Sequence, residues 1–154
     1  MWLALGMALL MSTAPDAGAT APATRIRGPG PNRVPMDVAI FPAAGKGEWT
    51  PTKEEVLAIE GQLPSFLESR RRDVRAQVIA KRLASYKRQY RGVTRAGRRF
   101  VEVNALCERF LGADDRDRWL RTWIVVKDGG DCFFQVAYDV ERGELGGLYI
   151  HGEA

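Results

Sequence analysis

The hydrophobic period changes at Ser85, and nothing else in the 154 residues limits the possible folds as tightly. Before that point apolar side chains recur at helical intervals. Thr52, with Glu55 three residues on, forms a capping box in which each side chain meets a backbone N–H of the first turn. Val56, Leu57 and Ile59 carry that helix to Gly61, and Pro64 restarts a second one with Phe66 and Leu67 on its apolar face. Val74, Val78, Ile79 and Leu83 then outline a further amphipathic helix that ends near Ala84.

After Ser85 the period becomes two, as it is where side chains alternate across a sheet. Tyr86, Arg88 and Tyr90 share one side of a first strand, and Thr94 to Gly97 turns the chain into a second, Phe100 to Asn104. The pattern predicts a third strand over 119–127, with Trp119, Trp123 and Val125 on one side and Leu120, Ile124 and Val126 on the other. Asp128-Gly129-Gly130-Asp131 has the composition of a tight hairpin turn leading to a fourth strand over 132–139. A fifth, over 145–151, follows a turn at Glu141-Arg142-Gly143. Helices first and strands after define the α+β class. The expectation is N-terminal helices packed on one face of a four- to five-stranded antiparallel meander sheet.

Upstream, the apolar run Trp2 to Met11 is half the roughly 20 residues that a spanning helix needs, and Ala17-Gly18-Ala19 has the small-x-small pattern of a signal-peptidase site. The expected organisation is a signal peptide over 1–19, a largely disordered Pro/Gly-rich linker over 20–48, and a single α+β domain over 49–154. No transmembrane segment is expected in the mature chain, which would be periplasmic or secreted. Within the linker, Val38 to Phe41 is apolar enough to dock on the domain. In an oxidising compartment Cys107 and Cys132 can form one disulfide; two buried thiols are the alternative.

Charge is unevenly placed. Residues 70–99 hold 12 Lys or Arg against one acid, Asp73, whereas residues 100–154 hold 6 basic and 11 acidic side chains. A block of Arg70, Arg71, Arg72, Arg75, Lys87, Arg88 and Arg91 could hold an anionic envelope polymer or nucleic acid, or be neutralised by acids of the same fold. Trp119, Trp123 and Tyr138 fall on the last strands, where they serve either the core or an aromatic binding face.

Familiar catalytic chemistry finds few of its residues here. The chain has one histidine, His151, so a site built on several imidazoles is excluded. Asp128, Asp131 and Asp139 lack the spacing of a calcium loop and suit turns. Asp128, Asp131 and His151 are the only plausible catalytic set, and a bridge would consume both thiols. Neither a phosphate-binding loop nor a dinucleotide fingerprint occurs. The expectation is a non-enzymatic protein without metal or cofactor.

The run Val136-Ala137-Tyr138-Asp139-Val140-Glu141-Arg142-Gly143-Glu144-Leu145 resembles the hairpin of PepSY-like and cystatin-like exported domains, and Asp128-Gly129-Gly130-Asp131-Cys132-Phe133-Phe134 with the His151-Gly152-Glu153-Ala154 ending is similar to small exported bacterial proteins of no known activity. The resemblance implies a small exported module that binds or inhibits rather than catalyses, and it transfers no catalytic residue. The expected partner is a protein of the cell envelope.

Overall fold

A computed structural model describes residues 21–112 and 117–152. The expected signal peptide, with its Ala17-Gly18-Ala19 site, lies outside the described residues. The strands are β1 (Thr24–Pro29), β2 (Pro35–Ile40), β3 (Glu48–Trp49), β4 (Tyr86–Arg95), β5 (Arg98–Cys107), β6 (Phe133–Asp139) and β7 (Glu144–Ile150); the helices are α1 (Lys53–Glu68) and α2 (Val74–Lys81). All seven strands join one sheet in the order β1-β2-β4-β5-β6-β7, with β3 paired to β4. Every pairing is antiparallel except β2 with β4. Parallel neighbours need a long connection, and α1 and α2 lie within it.

The sheet is therefore larger than a four- to five-stranded meander, and it begins inside the segment expected to be a disordered linker. Proline is tolerated on an edge strand or at a strand's first residue, and Pro29 and Pro35 sit at the inner ends of the β1–β2 hairpin. The ordering of β2 is offset by burial, since Met36, Val38, Ala39 and Ile40 are all buried. Arg25 also pairs Asp37 through two hydrogen bonds of 2.8 Å.

Thr52 and Glu55 form the expected capping box, but one helix replaces the two expected on either side of Gly61. Pro64 lies inside α1, where it lacks the N–H that would meet the Glu60 carbonyl. One residue on, the Gly61 carbonyl accepts a hydrogen bond of 2.5 Å from Asn32 Nδ2 in the β1–β2 turn. Asp73 caps α2 by accepting from the Arg75 and Ala76 amides. Val74, expected on the apolar face, is instead 75% exposed.

The β4–β5 hairpin turns on Ala96 and Gly97, both at positive φ, the geometry that matches strand twist in a two-residue loop. Gly92 on β4 faces Trp49, whose ring would meet a side chain there at 2.3 Å. Any larger residue displaces the indole, over which the Arg99 guanidinium sits at 3.7 Å.

Alternation divides the interior in two. Val56, Ile59, Leu63, Leu67, Ala76 and Ile79 from the helices pack with Val38, Ile40, Tyr86, Tyr90, Val101, Val103, Phe134 and Val136. A second cluster is made by the intervening strand residues Ala39, Leu106 and Phe133, by Phe41 just after β2, and by Trp119. Its covering layer is residues 118–126, and here the expected third strand gives way. After one 3-10 turn at Arg118–Leu120, this segment runs across the sheet in irregular conformation. Trp119, Leu120, Trp123, Ile124 and Val126 all join the second cluster while Val125 is exposed, so the predicted two-sided alternation is not realised.

Asp128 to Asp131 is likewise not a hairpin turn. The Gly129 and Gly130 amides donate to the Gly152 carbonyl, holding the end of the described chain, and a 3-10 turn at Gly130–Cys132 leads into β6.

Candidate functional site

A row of side-chain amides explains how an irregular segment is held on a sheet. Ala39, Gln89, Asn104, Gln135 and Tyr149 are successive cross-strand partners from β2 to β7. Gln89 and Asn104 are fully buried, and a buried amide is costly unless it is satisfied. Gln89 Nε2 donates to the Trp119 and Thr122 carbonyls, each at 2.7 Å, and its Oε1 accepts from the Ile124 amide at 2.9 Å. Asn104 Nδ2 donates to Gln89 Oε1 and to the Ile124 carbonyl, while Gln135 Nε2 donates to Asn104 Oδ1. The strap over 118–126 thus takes from side chains the bonds that a strand takes from its neighbour.

Removing Gln89 tests this directly. Gln89→Ala strands two carbonyls and one amide, each worth about 1–3 kcal/mol if buried without a partner. The strap relieves most of that by lifting locally. The expected net loss is about 2 kcal/mol, with faster hydrogen exchange at Ile124 and a red-shifted emission as Trp119 meets water. Unchanged exchange at Ile124 would refute the amide latch.

Beside the strap, over β5, β6 and β7, lies a cleft of about 220 Å³ lined by Arg91, Arg95, Glu102, Trp123, Gln135, Ala137, Gly147 and Tyr149, among others. Glu102 accepts from Arg91 Nε at 2.7 Å and also pairs Arg95. Arg91 lies 4.2 Å from the centre of the Trp123 ring, and burial pushes its guanidinium pKa below the ordinary value. Tyr149 is 56% exposed, the most open aromatic ring of the sheet. A second, separate hollow of about 230 Å³, lined by Phe100, Asp139, Arg142 and Leu145, borders the cleft at Ala137 and Gly147.

Among the residues singled out by sequence, the basic block divides. Arg88 is wholly buried and grips Glu60 at 2.6 and 2.8 Å. Lys87 pairs Asp37 at 2.7 Å and lies 5.3 Å from the Trp119 ring centre. Burial raises the Asp37 pKa, but the bonds from Arg25 and Lys87 more than offset this and hold it low. Arg91 belongs to the cleft. Arg70, Arg71 and Arg72 in the α1–α2 turn and Arg75 in the first turn of α2 are exposed and form no ion pair among the described residues. The seven cations therefore do not make one surface.

The three aromatic positions separate too. Trp119 is buried under the strap, half-buried Trp123 walls the cleft, and Tyr138 belongs to the helix-side cluster. They do not form one face. Cys107 and Cys132 are joined by a disulfide with Cα atoms 5.0 Å apart. Of the catalytic set, Asp131 is taken by Arg82 at 2.6 Å. His151 is buried with its ring against those of Phe133 and Tyr149, and its Nδ1 lies 3.4 Å from the Lys127 carbonyl. Asp139 is bonded within its turn, to the Glu141 and Arg142 amides, and pairs Arg98.

Arg95, Glu102 and Gln135, which line the cleft, were not singled out by sequence, and Tyr149 was not among the three aromatic positions chosen for binding. Among the described residues no group of three His, Cys, Asp or Glu could hold a metal, and no helix is long and apolar enough to cross a membrane. Comparison with protein-family models, curated proteins and solved structures finds no match.

Proposed function

We propose that the chain is an exported, non-enzymatic binding module that recognises a protein partner in the cell envelope through the cleft beside the strap. In this reading α1 and α2 back one face of the sheet, and the other face is divided between strap and cleft. What carries the proposal is the cleft itself. Small-molecule sites usually enclose about 300–1,000 Å³, so a cleft of about 220 Å³ suits one side chain of a larger partner. Its walls are Trp123, Tyr149, Arg91 and Arg95, and Trp, Tyr and Arg are the residue types that dominate binding hot spots. The strap and the amide row pre-organise those walls, which lowers the ordering cost of association. The bridge between Cys107 and Cys132 supports export, since disulfides persist in oxidising compartments.

The experiment is parallel capture from an envelope extract with the parent chain and with Tyr149→Ala, at physiological salt. Truncating a hot-spot ring costs about 2 kcal/mol or more, about thirtyfold in affinity. A partner retained by the parent and lost by Tyr149→Ala is the expected outcome. Equal retention by both would remove the cleft from the account.

A further inference from the structure

The basic run holds two populations of cations, and only one is used up by the fold. Arg82, Lys87, Arg88, Arg91, Arg95, Arg98 and Arg99 each pair an acidic side chain. Arg70, Arg71 and Arg72 form no ion pair among the described residues. They occupy a tight connection fixed by Arg70 N→Leu67 O at 3.1 Å and Asp73 N→Arg70 O at 2.9 Å, with Gln77 Nε2 donating to the Leu67 and Glu68 carbonyls at 3.3 Å. Ser69 to Asp73 surround a shallow, open concavity of about 440 Å³. The nearest acid in sequence, Asp73, is occupied in capping α2.

Two apolar groups accompany these cations. Val74 is 75% exposed, and the Phe66 ring lies beneath Arg70 with the guanidinium 4.6 Å from its centre. Arg75 adds a fourth positive charge, its Nη1 donating to the His151 carbonyl at 3.3 Å. Single-stranded nucleic acid is usually held in a basic groove lined by stacked aromatic platforms. The concavity of this turn offers no such platform, because its one ring is already covered by Arg70. Clustered cations beside an exposed aliphatic side chain match an anionic headgroup plane with acyl chains beneath it.

We propose that the Arg70–Arg75 turn docks the protein on anionic phospholipid bilayers, Arg70, Arg71 and Arg72 pairing with lipid phosphates while Val74 enters the headgroup layer. Each Arg near such a surface contributes about 1 kcal/mol, so losing three weakens binding about a hundredfold. The docking surface is separate from the cleft and does not depend on the protein-partner reading.

The test uses the full chain with vesicles of phosphatidylcholine containing about 30 mol% phosphatidylglycerol, and with phosphatidylcholine alone. The apolar run Trp2 to Met11 is common to every variant, so comparisons isolate the turn. Arg70→Ala, Arg71→Ala and Arg72→Ala together should lose about a hundredfold on the anionic vesicles and nothing on the neutral ones. Arg27→Ala, Arg33→Ala and Arg121→Ala, a charge-matched control, should lose less than about threefold. Arg71→Glu alone, at an exposed position, should lose about thirtyfold while its circular-dichroism spectrum matches the parent's. Val74→Ser should weaken vesicle binding while leaving any affinity for a DNA duplex unchanged. The proposal is overturned if the triple variant binds like the parent, if the control loses as much, or if DNA binds as tightly as vesicles and Val74→Ser has no effect on either.

Discussion

Replacing Glu60 with Ala is expected to lower stability by about 3–5 kcal/mol, the cost of leaving a buried charge without its partner. Small domains hold only about 5–15 kcal/mol in total, so much of the population would unfold. The reason lies in where Arg88 sits. Its guanidinium is fully buried and always charged, and it spends its donors on Glu60, on the Leu83 and Tyr86 carbonyls, and on Pro35 O. It thereby ties α1, the end of the α2 segment and the start of β2 to β4. Tyr90 also donates its hydroxyl to Glu60, and burial, reinforced by the Glu60 charge, pushes the phenol pKa well above its usual value.

An apolar replacement of a buried ion pair is often neutral. Glu60→Leu with Arg88→Met and Tyr90→Phe should therefore recover most of what Glu60→Ala loses. Equilibrium urea unfolding measures both. A loss below about 1 kcal/mol in Glu60→Ala would show that water reaches the pair, contrary to its burial.

The second large effect belongs to the disulfide. Cys107 ends β5 and Cys132 precedes β6, 25 residues apart in sequence. Closing a loop of that length stabilises by about 3–4 kcal/mol in the chain-entropy account. The pair Cys107→Ala and Cys132→Ala should lose roughly that much, and the parent in reducing agent should unfold at the same denaturant concentration as the variant. The surroundings also converge on this link: Arg109 Nε donates to Cys132 Sγ at 2.8 Å, and the Tyr86 hydroxyl donates to the Asp131 carbonyl. Unfolding that is indifferent to reducing agent would mean that the thiols are free, and export would lose its chemical support.

The readable parts of the fold are those whose signals are local. Thr52 and Glu55 mark the start of α1 because capping needs only neighbours, and Ala96-Gly97 marks the β4–β5 hairpin because only certain residues accept its backbone geometry. Once that turn is fixed, counting back places Gln89 opposite Asn104. Two amides facing each other within otherwise apolar strands were thus available as a sign of something held by side chains. The strap itself was not legible. Residues 119–126 alternate like a strand, but their backbone meets side-chain amides from two different strands, Gln89 on β4 and Asn104 on β5, which period alone does not reveal. β1 and β2 were hidden for another reason, since Pro/Gly-rich composition reads as linker while the compensation comes from contacts with α1 and β4, distant in sequence. Adjacency along the chain left open whether the basic run forms one surface or is neutralised within the fold; alternation across β4 places Arg88 and Lys87 on opposite sides of the sheet, each paired with an acid.

The remaining question is which surface meets a partner. Installing a photo-crosslinking residue in place of Tyr149, and separately in place of exposed Glu54 on α1, addresses it in intact cells. The account predicts one discrete covalent adduct from position 149 and none from position 54, with the 149 adduct persisting when Arg70, Arg71 and Arg72 are replaced by Ala. No adduct at 149, or the same adduct from both positions, would contradict recognition through the cleft.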